Sequence, residues 1–517
     1  MLNLTPFLKL YSWQRMRDLG KLQSARVQEK QLFSLLKSAK DTRFGKDHGF
    51  ESISSVTEFQ QRVPLRNYEQ FWEDYWEKNF PLLDDCSWPG RIPFFPVSSG
   101  TSTGSAKYIP CTRKMIRSNT KAGLDLLSYH VHQNPKSSIF AGKNFLLGGS
   151  TALIEEAPGV FSGDLSGILT KELPLWARPR YFPSQDLALL VDWEDKINRL
   201  ARSSLQEDIR MISGVPSWLL IFFDKVFELR PEAEGNIARI FPNLEMLVHG
   251  GVNFAPYRHR FLELFSGYKE TRGREVDFRE VYPASEGFIA VADRSYNEGL
   301  RLSLDHGLFF EFVPMDEFEN ENPTRHWIGN VQPDINYAIV LSTCAGLWSY
   351  VIGDTVRFVD TVTPRILITG RTSYYLSAFG EHVIAEELDQ AIAAASEQIG
   401  AEVTDYSVSP LYPEKSSELG GHQFIVEFSS SMPKAESLAE FASTIDKTLC
   451  RLNDDYRSHR SNGFGLNMPQ VVAVPPGMFA AWMKSRGKLG GQNKVPRIIK
   501  DDELIQSLRH FADTYEK

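Results

Sequence analysis

Ser98-Ser99-Gly100-Thr101-Ser102-Thr103-Gly104-Ser105-Ala106-Lys107 decides how the rest of this chain is read. Hydroxyl side chains and two glycines lie between an apolar run, Ile92 to Val97, and a lysine. Glycine leaves backbone N–H groups open to an anion, Ser and Thr add hydroxyl donors, and Lys107 adds a mobile positive charge. That is the chemistry of a polyphosphate cradle. The spacing is not that of a Walker loop, which ends in Gly-Lys-Ser/Thr. Here Lys107 trails Gly104 by three positions and Tyr108 follows it. Taken alone, the same composition also describes a solvated surface loop.

Bulk properties narrow the class. At about 150 residues per domain, 517 residues allow three or four units, or fewer in a large α/β enzyme with a continuous core. A hydrophobic fraction of 42% with 24% charged residues is that of a globular protein able to bury a large core. The net charge of −8 argues against a nucleic-acid partner, which would call for a basic face. Arg258, Arg260, Lys269, Arg272 and Arg274 alternate with Glu263, Glu270, Glu275 and Asp277, so they read as a solvated mixed-charge face. Cys86, Cys111, Cys344 and Cys450 are widely spaced, which disfavours a disulfide framework or a zinc site and fits a reducing compartment. No window reaches the roughly 20 apolar residues of a membrane span, and no leader pattern opens the chain. The expected location is the cytoplasm, with no membrane partner.

Periodicity supports an α/β fold. Helical spacing runs through Trp13 to Lys40, Tyr68 to Glu73, Lys114 to His130, Leu187 to Asp192 and Trp218 to Leu229. Between them, Asn144 to Ser150, Leu244 to Val248 and Phe288 to Ala292 read as buried strands, with Val281 and Tyr282 leading into a turn. Such alternation predicts sheets covered by helices. Leu308 to Val313, Tyr337 to Ser342 and Val356 to Asp360 are short and β-rich, predicting a small barrel or an extra antiparallel sheet. A strand ending at Arg371 and the flexible Phe379-Gly380 mark a boundary. The expected division is a large N-terminal domain over 1–376 and a smaller α+β domain over 377–517, a normal domain size.

Four further clusters carry chemistry. Tyr282-Pro283-Ala284-Ser285-Glu286-Gly287 sets an aromatic ring, a hydroxyl and a carboxylate in one turn, suited to a purine, a phosphate oxygen and Mg²⁺. Tyr350-Val351-Ile352-Gly353-Asp354 ends on an acceptor-only carboxylate able to take both ribose hydroxyls. Gly250-Gly251-Val252 leaves room for a flat ring against the backbone. Gly490-Gly491-Gln492-Asn493-Lys494 puts a lysine on a glycine-rich loop near the C-terminus. Each has an ordinary structural alternative: a turn, a helix cap or a solvated lysine.

Their order and company resemble the adenylate-forming enzymes, and more closely the Gretchen Hagen family of acyl-acid amido synthetases, bacterial-type branch. That family's S-S-G-T-S-x-G-x-x-K motif is matched from Ser98 to Lys107, its Y-x-x-S-E motif from Tyr282 to Glu286, and its Y-R-x-G-D motif from Tyr350 to Asp354. Gln492, Lys494, Pro496 and Arg497 echo a late family element, and Arg371 with Ala378 to Glu381 resembles the hinge segment. Two positions depart from the pattern. Val351 stands where the third motif has arginine, and His382 stands near where plant members carry a lysine.

The resemblance implies a two-step ligase. ATP, with Mg²⁺, activates a small-molecule carboxylic acid as an acyl-adenylate, and an amino-acid acceptor then displaces AMP. It implies that Ser98, Ser99, Gly100, Thr101, Ser102 and Lys107 hold the β/γ-phosphates, Glu286 the Mg²⁺ and Ser285 the α-phosphate. Tyr282 would stack on adenine against Gly250, Gly251 and Val252, and Asp354 with Arg371 would fix the ribose. Lys494, on a mobile C-terminal domain turning near Ser377 to Phe379, would neutralise charge at the α-phosphate. The acid, the amine and the oligomeric state are not readable.

Three alternatives stay open at this level. The same adenylation half serves thioester-forming acyl-CoA ligases. A serine hydrolase with Ser285 as nucleophile would need a strand-to-helix elbow, where the β-like Phe288 to Ala292 follows instead. A nucleotide-binding protein without turnover is the third. The histidines, His249, His306, His382 and His422 among them, read mostly as structural, and His382 alone is worth testing.

Overall fold

The computed structural model describes residues 2–98, 107–148, 153–188, 190, 193–251, 254–272, 275–294, 298–318, 320–372, 375–376, 379, 381, 383–413, 419–429, 432–460, 465–486, 495–499 and 501–515. The chain divides into two compact units, one formed by Met1–Ser98, Lys107–Phe254 and Phe261–Thr372, the other mainly by Ser373–Lys517.

Sixteen strands belong to the first unit. They are β1 (Phe94–Ser98), β2 (Lys107–Tyr108), β3 (Lys143–Leu147), β4 (Leu153–Ala157), β5 (Val160–Gly163), β6 (Tyr181–Phe182), β7 (Ile209–Gly214) and β8 (Met246–Gly250). Then follow β9 (Asp277–Ala284), β10 (Gly287–Val291), β11 (Leu300–Leu302), β12 (Leu308–Pro314), β13 (His326–Trp327), β14 (Asn336–Thr343), β15 (Tyr350–Asp360) and β16 (Arg365–Arg371).

One twelve-stranded sheet organises the unit, in the order β13-β12-β14-β15-β16-β11-β10-β9-β8-β7-β3-β6. From β6 to β9 neighbours run parallel, and from β9 to β13 they run antiparallel. Parallel strands need long crossovers, and helix Pro216–Leu229 supplies the one between β7 and β8. Such strands are covered on both faces, which is why Met246, Leu247 and Val248 form an unbroken apolar run. The β-rich segments expected as a small barrel or extra sheet are β12, β14 and β15. They continue the same hydrogen-bonded ladder, so the antiparallel strands are one half of the large sheet. A second, four-stranded sheet, β2-β1-β5-β4, carries the hydroxyl-rich motif.

Helix Arg113–Gln133 covers the middle of the large sheet, its Leu126, Leu127 and Val131 packing with Met246, Val248, Val281 and Val291. Thr112 caps it by accepting the Met115 N–H at 3.1 Å, an arrangement worth about 1 kcal/mol. The expected single helix over Trp13 to Lys40 is two helices, Thr5–Gly20 and Ser24–Ala39. Gly20 weakens the helix locally, and the Lys21 N–H turns back to the carbonyls of Asp18 and Leu19. The helix expected at Leu187 to Asp192 is the shorter Gln185–Ala188.

A buried charge cluster fastens the first helix to the sheet. Arg15 makes bidentate bonds to Asp125 (2.7 and 2.6 Å) and to Asp305 (2.7 and 2.8 Å), and Lys121 adds a bond of 2.8 Å to Asp305. Burial, the largest single influence, pushes both carboxyls up, but the Arg15 hydrogen bonds and charge together with His306, and Lys121 at Asp305, hold each below the usual range.

In the second unit β17 (Tyr375–Leu376) pairs with β18 (Val383–Ile384). A three-stranded sheet of β19 (Val403–Leu411), β20 (Gly421–Phe428) and β21 (Gln470–Val474) lies with helices Ala385–Ile399 and Ala435–Leu452. The α+β composition agrees with the sequence reading. Glu381 and His422 are both fully buried and bond at 2.8 Å. Burial raises the Glu381 carboxyl most, but the His422 hydrogen bond and charge, a backbone hydrogen bond and the His459 charge together bring it down to about 2.

Removing one partner of a buried ion pair costs about 3–5 kcal/mol. Arg15→Ala and His422→Ala are each expected to lower the urea midpoint accordingly. Carboxyls held low stabilise the fold above the ordinary carboxylate range and lose that contribution as pH falls through it. Urea midpoints of the wild type should therefore stay level above about pH 5 and drop as acid is added below about pH 4. In Arg15→Ala the drop should be shallower.

Candidate nucleotide site

The two ends of the hydroxyl-rich motif, Ser98 and Lys107, lie on the paired antiparallel strands β1 and β2. Val97 pairs with Tyr108 and Ser98 with Lys107, so the first serine and the lysine face each other. Ser99, Gly100, Thr101 and Ser102 lie outside the described residues. Beside this strand pair stands Tyr68, which the sequence reading used only as a helix position. Its hydroxyl accepts the Tyr108 N–H at 2.9 Å, and the Lys107 ammonium lies 5.5 Å from the centre of its ring. Tyr68 opens a short helix whose start is fixed by the capping box of Asn67 and Gln70. That box was the available signal that the tyrosine is rigidly held.

The second motif is the turn between β9 and β10, with Ala284 paired to Gly287. Tyr282 is buried on β9, while Ser285 and Glu286 form the two-residue turn. Ser285 is half-buried and Glu286 is 8% exposed. Strand–turn–strand geometry removes the hydrolase reading, because a nucleophile elbow leads from strand into helix.

The third motif begins β15. Gly353 has φ +93°, a conformation that favours glycine, and its carbonyl accepts the Thr372 N–H at 2.8 Å. This seats Asp354 opposite Arg371 in the β15–β16 register. Val351, in place of the family arginine, packs on the small apolar cluster of Val313, Ala338 and Val340. No cation takes its place there among the described residues of that cluster.

The second and third motifs are interlocked. Tyr282 donates its hydroxyl to Asp354 Oδ2, and the Glu286 carboxylate lies near enough to Tyr350 for its charge to act on that hydroxyl. Each motif's tyrosine thus neighbours the other's acid. Burial first, then the Glu286 charge, push the Tyr350 hydroxyl far above its ordinary value, so it stays a proton donor. An aromatic cluster joins this pair to the first motif: the Phe71 ring lies 6.1 Å from Tyr350 and 4.9 Å from Trp76, which lies 5.9 Å from Tyr68.

Gly250 and Gly251 end β8 beside Tyr282. Gly250 is opposite Val281, and a Cβ there would stand 2.3 Å from the Val281 carbonyl oxygen. Gly251 has φ +83°. Both glycines are therefore required by the backbone, whatever approaches it. Val252 and Lys494 lie outside the described residues, as does His382.

Two buried groups close by carry no sequence motif. Glu280 lies on β9 two residues before Tyr282, and burial alone pushes its carboxyl up to about 7. His249, opposite it on β8, stacks on Phe254 at 3.8 Å, and burial lowers its imidazole to about 3. A strand glutamate or histidine gives no spacing signal, so neither was legible. Away from this region, Asp125, Asp305 and His306 cluster closely enough for a metal, but the Arg15 guanidinium already fills the space between the two carboxylates.

Known proteins place this chain. Residues 16–269 match the GH3 family N-terminal domain, 302–371 its central domain and 386–503 its C-terminal domain. Indole-3-acetic acid-amido synthetase GH3.3 of Arabidopsis thaliana is 24% identical over 60% of this chain and 53% of its own length. The chain spans about half the length of the first curated relatives it matches. Probable indole-3-acetic acid-amido synthetase GH3.2 of Oryza sativa subsp. japonica is 22% identical over 95% of this chain and 92% of its own. In fold, the chain is similar to the AtGH3.15 acyl acid amido synthetase in complex with 2,4-DB (TM-score 0.60, 17% identity, 99% and 97% covered). It is also similar to 2-hydroxyisobutyryl-CoA ligase in complex with 2-HIB-AMP and CoA (TM-score 0.57, 14% identity, 95% and 92% covered). With all three domains of one family matched in order along its length, the protein belongs to the GH3 family, whose Gretchen Hagen motifs its sequence carries.

Proposed function

We propose that this chain joins a carboxylic acid to the amine of an amino acid in two ATP-dependent steps. A carboxylate oxygen attacks the α-phosphorus of ATP and pyrophosphate leaves. The amine nitrogen then attacks the acyl carbon, AMP leaves, and the amine proton passes to solvent. The observation that carries this reading is the hydrogen bond from Tyr282 to Asp354, with the Glu286 charge beside Tyr350. It draws together two sequence-distant motifs that would serve one nucleotide.

The first 376 residues would carry the ATP and acid sites, and 377–517 the mobile C-terminal domain. Ser98, Ser99, Gly100, Thr101, Ser102 and Lys107 would bind the β/γ-phosphates, with Lys107 steered by the Tyr68 ring. Tyr282 would lie against adenine across from Gly250, Gly251 and Val252. Asp354, oriented by Tyr282, and Arg371 would take the ribose. Ser285 would bond the α-phosphate and Lys494 would balance its charge. The oxygen donors of Glu286 and Ser285 suit Mg²⁺, which is bound through one or two carboxylates together with substrate phosphates. Bound there, Mg²⁺ would neutralise phosphate charge. Tyr350 would keep the Glu286 carboxylate oriented and shielded from water. A cytoplasmic setting fits four cysteines that are all free thiols, and no described helix is long and apolar enough to cross a membrane.

ATP–pyrophosphate exchange across a panel of carboxylic acids tests the first step. At least one acid should support exchange, and Glu286→Gln should reduce it about 100-fold, the scale of losing a positioned transition-state contact. Lys107→Ala should weaken ATP binding while the thermal midpoint stays within a few degrees. Full exchange in Glu286→Gln would remove the site.

AMP release with amino acids or with coenzyme A as acceptor separates amide from thioester formation. Amino acids should accelerate it. A fluorophosphonate should leave Ser285 unlabelled, and labelling would return the hydrolase.

A further inference from the structure

Ser349 stands immediately before the third motif and holds an unusual backbone. Its φ is +44°, a left-handed conformation that a residue with a Cβ rarely adopts, and it is fully buried. Such a residue persists only where its surroundings fix it, and here every polar atom is held. Its N–H donates to Ser342 Oγ at 2.8 Å, and its carbonyl accepts the Arg66 N–H at 3.1 Å. Its hydroxyl donates to Glu311 Oε2 at 2.9 Å and accepts from Arg325 Nη2 at 2.6 Å.

Glu311 and Arg325 belong to none of the sequence motifs. Glu311 is fully buried on β12, and Arg325 immediately precedes β13. All five guanidinium donors of Arg325 are used. Nε and Nη2 bond Glu311 Oε1 at 3.0 and 2.7 Å, and Nη2 also bonds Ser349. Nη1 bonds the carbonyls of Gln60 and Val63, each at 2.6 Å. Gln60 lies in helix Val56–Arg62 and Val63 closes it. One side chain therefore grips two segments of chain that meet three residues later, where Arg66 brackets Tyr350. The Arg66 N–H reaches the Ser349 carbonyl, and the Val351 N–H donates to the Arg66 carbonyl at 2.9 Å.

What leads out of this crossing gives it a role. Two residues after Arg66 comes Tyr68, which accepts the Tyr108 N–H and has the Lys107 ammonium near its ring. Directly after Ser349 comes Tyr350, the start of the strand that carries Asp354. We propose that Arg325, braced by Glu311, is a positioning residue for the nucleotide site. It sets Tyr68, the support of the first motif, in register with the Tyr350 and Asp354 of the third. This rests on the ATP reading above. A lysine could neutralise Glu311, but only a planar fork reaches Glu311, Ser349 and the Gln60 and Val63 carbonyls together. That difference separates a residue that sets geometry from one that only offsets a buried charge.

ATP–pyrophosphate exchange and amide hydrogen exchange of the full chain test this. Arg325→Lys should keep its thermal midpoint within a few degrees, while the KM for ATP rises about tenfold and the KM for the acid stays within about twofold. Its Arg66, Val351 and Tyr108 amides should exchange about tenfold faster, with those of helix Arg113–Gln133 at wild-type rates. Ser349→Ala leaves the ion pair whole and should move both readouts in the same direction, so it decides the matter if Arg325→Lys does not fold. Wild-type KM for ATP and wild-type Tyr108 protection in the folded variants overturn the proposal. So does a lowered midpoint with both KM values unchanged, the result of a purely structural ion pair. A wild type that supports exchange with no acid overturns the ATP reading instead, and the Val351 and Tyr108 amides then decide the positioning role alone.

Discussion

A phenol–carboxylate hydrogen bond, from Tyr282 to Asp354, ties the second motif to the third. In the other direction the Glu286 charge acts on the buried Tyr350 hydroxyl. In both motifs the tyrosine precedes the acid by four residues. A carboxylate removed from water is costly unless its lone pairs are met. Here Asp354 is met by a side chain from the other end of the constellation. The aromatic cluster of Tyr68, Phe71 and Trp76 keeps this network dry, which strengthens every hydrogen bond inside it.

The large sheet makes that bond possible. The second motif lies where the parallel strands give way to antiparallel ones, at the β9–β10 turn. The third begins β15, beyond β10, β11 and β16 in the same ladder. On the parallel side, Gly250 ends β8 against the Val281 carbonyl, where no side chain fits. Antiparallel order permits the tight turn that sets Ser285 beside Glu286. A sheet of one kind would supply one of these features and lack the other.

Much of this was legible in the chain. The α/β class, helix Arg113–Gln133, strands β3, β8 and β10 and the α+β character of the second unit follow from apolar spacing, because each element buries one regular stripe. The three motifs were visible because turns and anion cradles need glycine and hydroxyl residues at fixed positions. What escaped was whatever depends on distant partners. The break at Gly20 falls inside a continuous helical spacing and shows only in the Lys21 N–H turning back to Asp18 and Leu19. The joining of the β-rich segment to the parallel strands depends on edges that no local pattern encodes. Tyr68 looked like one aromatic among many until its contact with Tyr108 was seen. The Tyr282–Asp354 bond links side chains 72 residues apart, and only the folded sheet pairs them.

The uninterrupted ladder from β9 to β15 has one more consequence. Because Asp354 on β15 and the turn that carries Glu286 belong to a single hydrogen-bonded fabric, no joint separates the second motif from the third. Slack between them must come from loops at the rim, since the floor beneath them is held constant by the weave.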